Sequence, residues 1–292
     1  MSTAPVVTAP AIHLRNILFT TDFSESSRPA LRYAEALAGR FGARICLCHA
    51  MTPSAVSMSA PEAAPYLYEA EYECNQRDLA NLVRAEEEKG LNIETVLQSG
   101  QLKDVLTSAI AKKNIDLVVA GTHGRTGVRR FLLGSSAEEI CRSASCPVLT
   151  VGPWLAAKDE IQFRRILIPI DLSEESMKVL PYVLGIAQEY GSAITVLNVI
   201  KLDPGASSDM KTAAKAKALA MKAVLRHKLA PFKHEFLVDF GDTAETILRV
   251  AREKKTELIA LGIRNAFAGP HLRSSIAYRI MAGASCPVLT CR

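Results

Sequence analysis

The sequence lacks any apolar run near the roughly 20 residues that a membrane-spanning helix needs. Its N-terminus, MSTAPVVTAPAIHL, has neither a cationic start nor a continuous apolar core. Residues 1–13 are therefore expected to form a short flexible tail and not a signal peptide, and a cytoplasmic location is expected. Paired cysteine spacing is missing too. The 7 cysteines are odd in number and form no CxxC, which argues against a disulfide framework. Cys46 and Cys48, two apart in ARICLCHAM, would share one face of a strand, where core packing is the simple reading. The 6 histidines show no metal-ligand spacing, although His49, after an apolar strand, and His123, inside a Gly-rich loop, are placed to touch a ligand. Charge of one sign is also scarce, and a net charge of +5 is too small to argue for nucleic acid. Finally, there is no GxxxxGK[ST] and no GxGxxG after the first strand, which removes the best-known phosphate loops.

What is present is the composition of a globular protein, with 49% hydrophobic and 22% charged residues in 292, enough for two domains. One stretch is locally basic. In MKTAAKAKALAMKAVLRHK, Lys211, Lys215, Lys222 and Arg226 recur at helical spacing, with Ala, Leu and Val on the other side. A solvated helix face and a docking surface for an acidic partner or a membrane both fit that pattern.

The chain repeats itself. RNILFTTDFSESSRPALRYAEALAGRFGARICLCHAM begins at Arg15, and RRILIPIDLSEESMKVLPYVLGIAQEYGSAITVLNVI begins at Arg164. Asp22 matches Asp171, and His49 matches Asn198. The copies end in SASCPVLTV and GASCPVLTC. This repeat decides the organisation: a first domain over 14–152, a linker over 153–163 and a second domain over 164–292. In the first copy, strands are predicted at 15–21, 43–50, 92–98, 116–120 and 147–151. Helices are predicted at 24–41, about 66–89, 102–113 and 135–145, with Ser24 as N-cap and Gly42 as the stop of the first. Strands that are apolar throughout suit a parallel sheet covered by helices on both faces. Each copy, at roughly 130–140 residues, can bury its own core. The predicted fold is α/β, two tandem doubly wound domains, each with a five-stranded parallel sheet in the order 3-2-1-4-5.

In such a sheet, ligands bind beyond the carboxyl ends of the strands. Asp22 ends the first strand and Gly121 the fourth, so that strand order puts both beside one crevice. The stretch GTHGRTGVRRFLLGSS (121–136) follows directly. Gly121 and Gly124 permit backbone that a Cβ would penalise, and successive N–H groups there can form an anion nest. Gly134, Ser135 and Ser136 open the next helix, whose exposed N–H groups favour an anion. Arg125, Arg129 and Arg130 add charge to the loop. These features alone leave a plain Gly-rich turn with a capped helix equally open.

The whole combination, Gly121-x2-Gly124-x9-Gly134-Ser135 after an apolar strand, an Asp after the first strand and the CPVLTV ending, resembles the nucleotide-binding branch of the universal stress protein family. The resemblance covers nearly the whole chain in two copies. It implies ATP with its adenine near Asp22 and Ala50. It implies that ribose and phosphates contact Gly121, Gly124, Gly134, Ser135 and Ser136. It implies a divalent metal, Mg2+ or Mn2+, held by the phosphates and not by a protein cluster. It also implies pairing through the final strands, 147–151 and 287–291, between the two copies of one chain and between two chains.

The second copy departs from the pattern. Asn265 stands where the second Gly is expected and Ser274 where the third is, with one residue missing between them. One strong triphosphate site is therefore expected, in the first copy, with the second copy structural or weakened. Three functions follow from these readings: a nucleotide-binding regulatory or stress-protection module acting on an unknown protein partner, a slow ATP hydrolase, and a scaffold that binds no nucleotide. The Ala, Ser, Pro and Glu-rich insertion after the second strand is expected to flank or cover the site.

Overall fold

A computed structural model describes residues 12–52, 62–122, 133–155, 160–201, 208–263 and 275–292. The chain forms two compact units. One begins at Leu14 and runs to Ile161. The other begins at Gln162 and also takes in Ile12 and His13.

In the first unit, β1 (Asn16–Thr20) is the middle of the sheet. It pairs in parallel with β2 (Arg44–Met51) on one side and β4 (Leu117–Gly121) on the other. β3 (Ile93–Ser99) flanks β2, and β5 (Val148–Val151) flanks β4, giving the predicted order β3-β2-β1-β4-β5. Ile17, Leu18 and Phe19 are consecutive and all buried. A strand buries neighbours on opposite faces, so this run requires cover on both sides of the sheet. The cover comes from α1 (Arg28–Phe41), α2 (Ala64–Glu87), α3 (Leu102–Lys113) and α4 (Ser135–Ser143).

The first helix begins differently from its predicted form. Glu25–Ser27 make one 3-10 turn, and the α-helix starts at Arg28 with Pro29 in its first turn. Proline has no N–H to give and restricts the residue before it, so it marks the true start. Ser24 does hold the N-cap position of the 3-10 turn, yet its side chain makes no cap bond. Gly42 ends α1 with φ of 65°, as its position predicts, because a left-handed residue costs glycine little.

The second unit repeats the plan. β6 (Arg165–Pro169), β7 (Ala193–Ile200), β8 (His234–Phe240), β9 (Leu258–Gly262) and β10 (Val288–Cys291) run in the order β8-β7-β6-β9-β10. Its helices are α5 (Glu174–Met177), α6 (Leu180–Tyr190), α7 (Ser208–Leu229), α8 (Thr243–Glu253) and α9 (Ile276–Gly283). Ile12 lies against α6, close enough that a Cβ on Gly185 would fall 2.1 Å from Ile12 Cγ1.

Cys46 and Cys48 are buried in β2, as the simple reading has it. Burial pushes their thiols up to about 11 and about 12, which keeps them protonated and unreactive.

Candidate functional site

The topology brings the predicted residues that lie within the described regions to one cleft. A cleft of about 660 Å³ opens at the carboxyl ends of β1, β2 and β4. Asp22, Ala50, Gly121, Gly134, Ser135 and Ser136 all line it. Gly124, His123, Arg125, Arg129 and Arg130 lie outside the described residues.

The backbone explains each position. After β1, Phe23 adopts a left-handed φ of 62°, uncommon for a bulky residue. Asp22 holds that turn: its Oδ1 accepts the Ser24 amide at 3.1 Å and the Ser24 hydroxyl at 2.6 Å. This is an Asx turn, in which the carboxylate substitutes for a backbone acceptor. The Ser24 hydroxyl therefore meets Asp22 and, at 2.9 Å, the Ser26 hydroxyl, and makes no cap bond to a helix N–H. His49 supports the same corner. Its Nδ1 lies 2.7 Å from the Thr21 carbonyl, which can only accept, so Nδ1 carries the proton. Its ring sits 4.6 Å from that of Phe23 and lines the cleft.

Gly121 does not supply the backbone expected of it, whereas Gly134 stands at the helix start where the sequence puts it. Gly121 is the last residue of β4, in strand backbone, so a left-handed conformation is not what it supplies. Gly134 has φ of −67° and ψ of 152°, which any residue can adopt. What matters at 134 is its position. Gly134 is the N-cap of α4, and its own N–H donates to Thr122 O at 2.8 Å. Having no side chain, it cannot cap the N–H groups of the first helical turn. Such groups have no intrahelical partner and attract an anion, assisted by the helix dipole. The hydroxyls of Ser135 and Ser136 stand beside them.

One wall of the cleft was not read residue by residue from the sequence. α2 contributes Glu71, Cys74, Asn75 and Asp78. The available signal was the helical spacing of 71, 74, 75 and 78 after the insertion, which puts them on one face. Together with Asp22, they make the cleft acidic. Among its described lining residues there is no Lys or Arg. An anion there depends on helix N–H groups, hydroxyls and any cation it brings with it. Among the described residues, no group of three or more His, Cys, Asp or Glu could hold a metal.

The second unit has the corresponding corner in altered form. Asp171 Oδ1 accepts the Ser173 amide at 2.9 Å and its hydroxyl at 2.6 Å, and Leu172 has φ of 70°. Burial alone would raise the Asp171 carboxyl. The hydrogen bonds from Ser173 and Ser176 outweigh it and hold the group below its usual value. Asn198 replaces His49 and keeps its bond, Nδ2 donating to Ile170 O at 2.7 Å.

Two features then narrow the crevice at the end of β9 and the start of α9. A Cβ on Gly262 would fall 1.7 Å from the Glu175 carbonyl oxygen, because α5 packs its backbone directly on the end of β9. Ser275 is the N-cap of α9, and its Oγ accepts the Tyr278 amide at 3.2 Å. The cavity here is about 270 Å³. Arg279 also ties α9 to α8 through Asp242 at 2.9 Å.

Fold and clefts define a tandem doubly wound α/β protein, with one crevice open to a helix start and one reduced. The chain matches the model of the Universal stress protein family over residues 13–152 and again over 162–292, and it belongs to that family. A universal stress protein of Mycolicibacterium smegmatis is 26% identical over 293 residues, covering 94% of this chain and 96% of that protein. Universal stress protein MJ0531 of Methanocaldococcus jannaschii is 33% identical over 138 residues, 47% of this chain and 81% of its own length. A solved universal stress protein from Archaeoglobus fulgidus superposes with a TM-score of 0.74 at 19% identity, covering 96% of this chain and 97% of that one. That likeness shows the shared fold. Among the described residues, no helix is long and apolar enough to cross a membrane.

Proposed function

We propose that the first domain binds ATP together with a divalent metal carried on its phosphates, and that the chain is a nucleotide-responsive regulatory module. The observation that carries this reading is the start of α4. Gly134 leaves its first turn without a side-chain cap, and that turn opens into a 660 Å³ cleft beside Asp22 and Ala50. The cavity lies within the range of small-molecule sites. Helix N–H groups and the Ser135 and Ser136 hydroxyls supply donors for phosphate oxygens. Asp22, Glu71 and Asp78 repel a bare polyanion, so the nucleotide's own Mg2+ or Mn2+ is the charge that makes the two compatible. α2 forms a wall of the cleft, and nucleotide contact there gives a physical route from ligand to partner surface.

Isothermal titration with ATP and Mg2+ is expected to find one strong site per chain. Two equal sites would contradict the reading. Gly124→Val together with Gly134→Val is expected to abolish the ATP-induced rise in Tm, about 2.7 kcal/mol of stabilisation at a hundredfold excess over Kd. A shift that persists in the double variant places the nucleotide elsewhere. Single-turnover assays separate binding from hydrolysis: an ADP-forming rate that depends on Ser135 would make the protein a slow ATP hydrolase instead.

A further inference from the structure

The second domain keeps a cavity of about 270 Å³ at the carboxyl ends of β6, β7 and β9, and its chemistry differs from that of the first cleft. Ile170, Leu197, Ile247, Leu261, Ile263 and Ile276 give it an aliphatic wall. The charged groups among its described lining residues are Asp171 and Glu175, both acidic, with no Lys or Arg beside them. Such a wall repels a phosphate. The start of α9 offers an anion less as well, because the Ser275 hydroxyl already accepts a first-turn N–H.

Asn198 adds one polar demand. It is 4% exposed and lines the cavity. Its Nδ2 donates to Ile170 O at 2.7 Å, and a carbonyl can only accept, which fixes the orientation of the amide. Oδ1 is then the other end, enclosed and with no hydrogen-bond partner among the described residues. A buried acceptor left unpaired weakens a fold, so such atoms are nearly always answered by a donor. The first domain fills the same corner with two rings, those of Phe23 and His49, 4.6 Å apart. At these positions the second domain has Leu172 and Asn198, and neither brings a ring. The cavity thus combines an aliphatic wall, an unanswered acceptor and no ring where the sister domain has two.

We propose that this cavity binds a compact, uncharged aromatic molecule with one N–H or O–H donor. The donor meets Asn198 Oδ1, and the ring lies on the aliphatic wall. The size agrees. An apolar cavity of roughly 150 Å³ takes up benzene, so about 270 Å³ holds one ring or two fused rings. The site is separate from the ATP site proposed for the first domain and stands whether or not that site takes a nucleotide.

Isothermal titration and saturation-transfer NMR on the full chain test this with two probes. Indole has two fused rings and one N–H, and 1-methylindole has the same rings without the donor. Indole is expected to bind, and 1-methylindole about tenfold more weakly, since it leaves the acceptor unpaired. Ile276 lines the cavity and is 47% exposed, so bulk is tolerated there. Ile276→Trp is expected to abolish indole binding while circular dichroism and the ATP titration stay as in the wild type. Asn198→Leu is expected to bring the two probes to equal affinity. Should that variant unfold, the probe pair and Ile276→Trp still decide. Equal affinity of the two probes for the wild type would show that a water answers Asn198 and would overturn the proposal. So would binding of neither probe, or indole binding unchanged in Ile276→Trp. Displacement of indole by ATP would place it in the first cleft and overturn the proposal as well.

Discussion

The two domains share a sheet order, a turn and a helix plan, yet they differ at the crevice. In the first, α4 begins at a glycine and its first-turn N–H groups have no side-chain cap beside a 660 Å³ cleft. In the second, the matching helix begins at Ser275, which caps itself, beside 270 Å³. Aligned on their CPVLT endings, Ser135 and Ser275 are the same position. A one-residue shift in helix start turns that serine from the first residue inside the helix into its cap. The hydroxyl is thereby committed to its own backbone. The comparison teaches that a surviving motif residue can change role when its register on the helix changes.

The corner after the first strand teaches the converse. Asp22 and Asp171 make the same Asx turn over a left-handed residue, Phe23 or Leu172. Either Asp is explained by the turn alone. The open crevice, and not the carboxylate, sets the first domain apart.

The largest effect is expected at Gly262. Gly262→Val forces a side chain into the Glu175 carbonyl and is expected to destabilise the second domain by about 3 kcal/mol or more, read by urea denaturation. A variant as stable as wild type would show that α5 is not seated on β9. Next comes the helix start. Gly134→Ser gives α4 a cap like that of α9, and ATP affinity is expected to fall about tenfold by titration, roughly 1.4 kcal/mol. Unchanged affinity would separate nucleotide binding from this helix end. Removing the cap in the second domain is a smaller perturbation. Ser275→Ala is expected to cost about 1 kcal/mol in stability without creating an ATP site, since Glu175 still covers Gly262.

The smallest effect is in the acid limb of stability. The Asp171 carboxyl is held below its usual 3.8 in the folded protein, so the unfolded chain binds more protons in the window beneath that value. Its contribution is fully present above the unfolded value and is lost as pH falls through the folded one. Asp171→Asn is expected to flatten that part of the stability profile. An unchanged acid limb would show that the Ser173 hydrogen bonds do not persist in solution.

Much of the fold was legible because parallel strands buried on both faces must be apolar throughout. Ile17-Leu18-Phe19 and the Val-Leu pairs of β5 and β10 declared themselves. The repeat then supplied the sheet order by halving the problem. Gly42, past the end of α1, was legible because left-handed stops favour glycine. The start of α1 was read too early, since Ser24 looks like a cap until its hydroxyl is seen on Asp22. The predicted site residues within the described regions converge on one cleft because all follow strand ends on the same side of one sheet. The insertion after the second strand was expected to flank the site, and α2 does line the cleft, but no short pattern singled out Glu71 or Asp78 as the residues that face it.

The amino-acid sequence by itself determined the tandem organisation, the doubly wound plan of each copy and the side of the sheet on which a ligand would sit. Those depend on hydrophobic period and local stops, which each short stretch carries within itself. Only the tertiary structure decided why Gly262 is there. It admits the backbone of α5 at Glu175. The atoms in that contact are distant in sequence, and no local pattern encodes it.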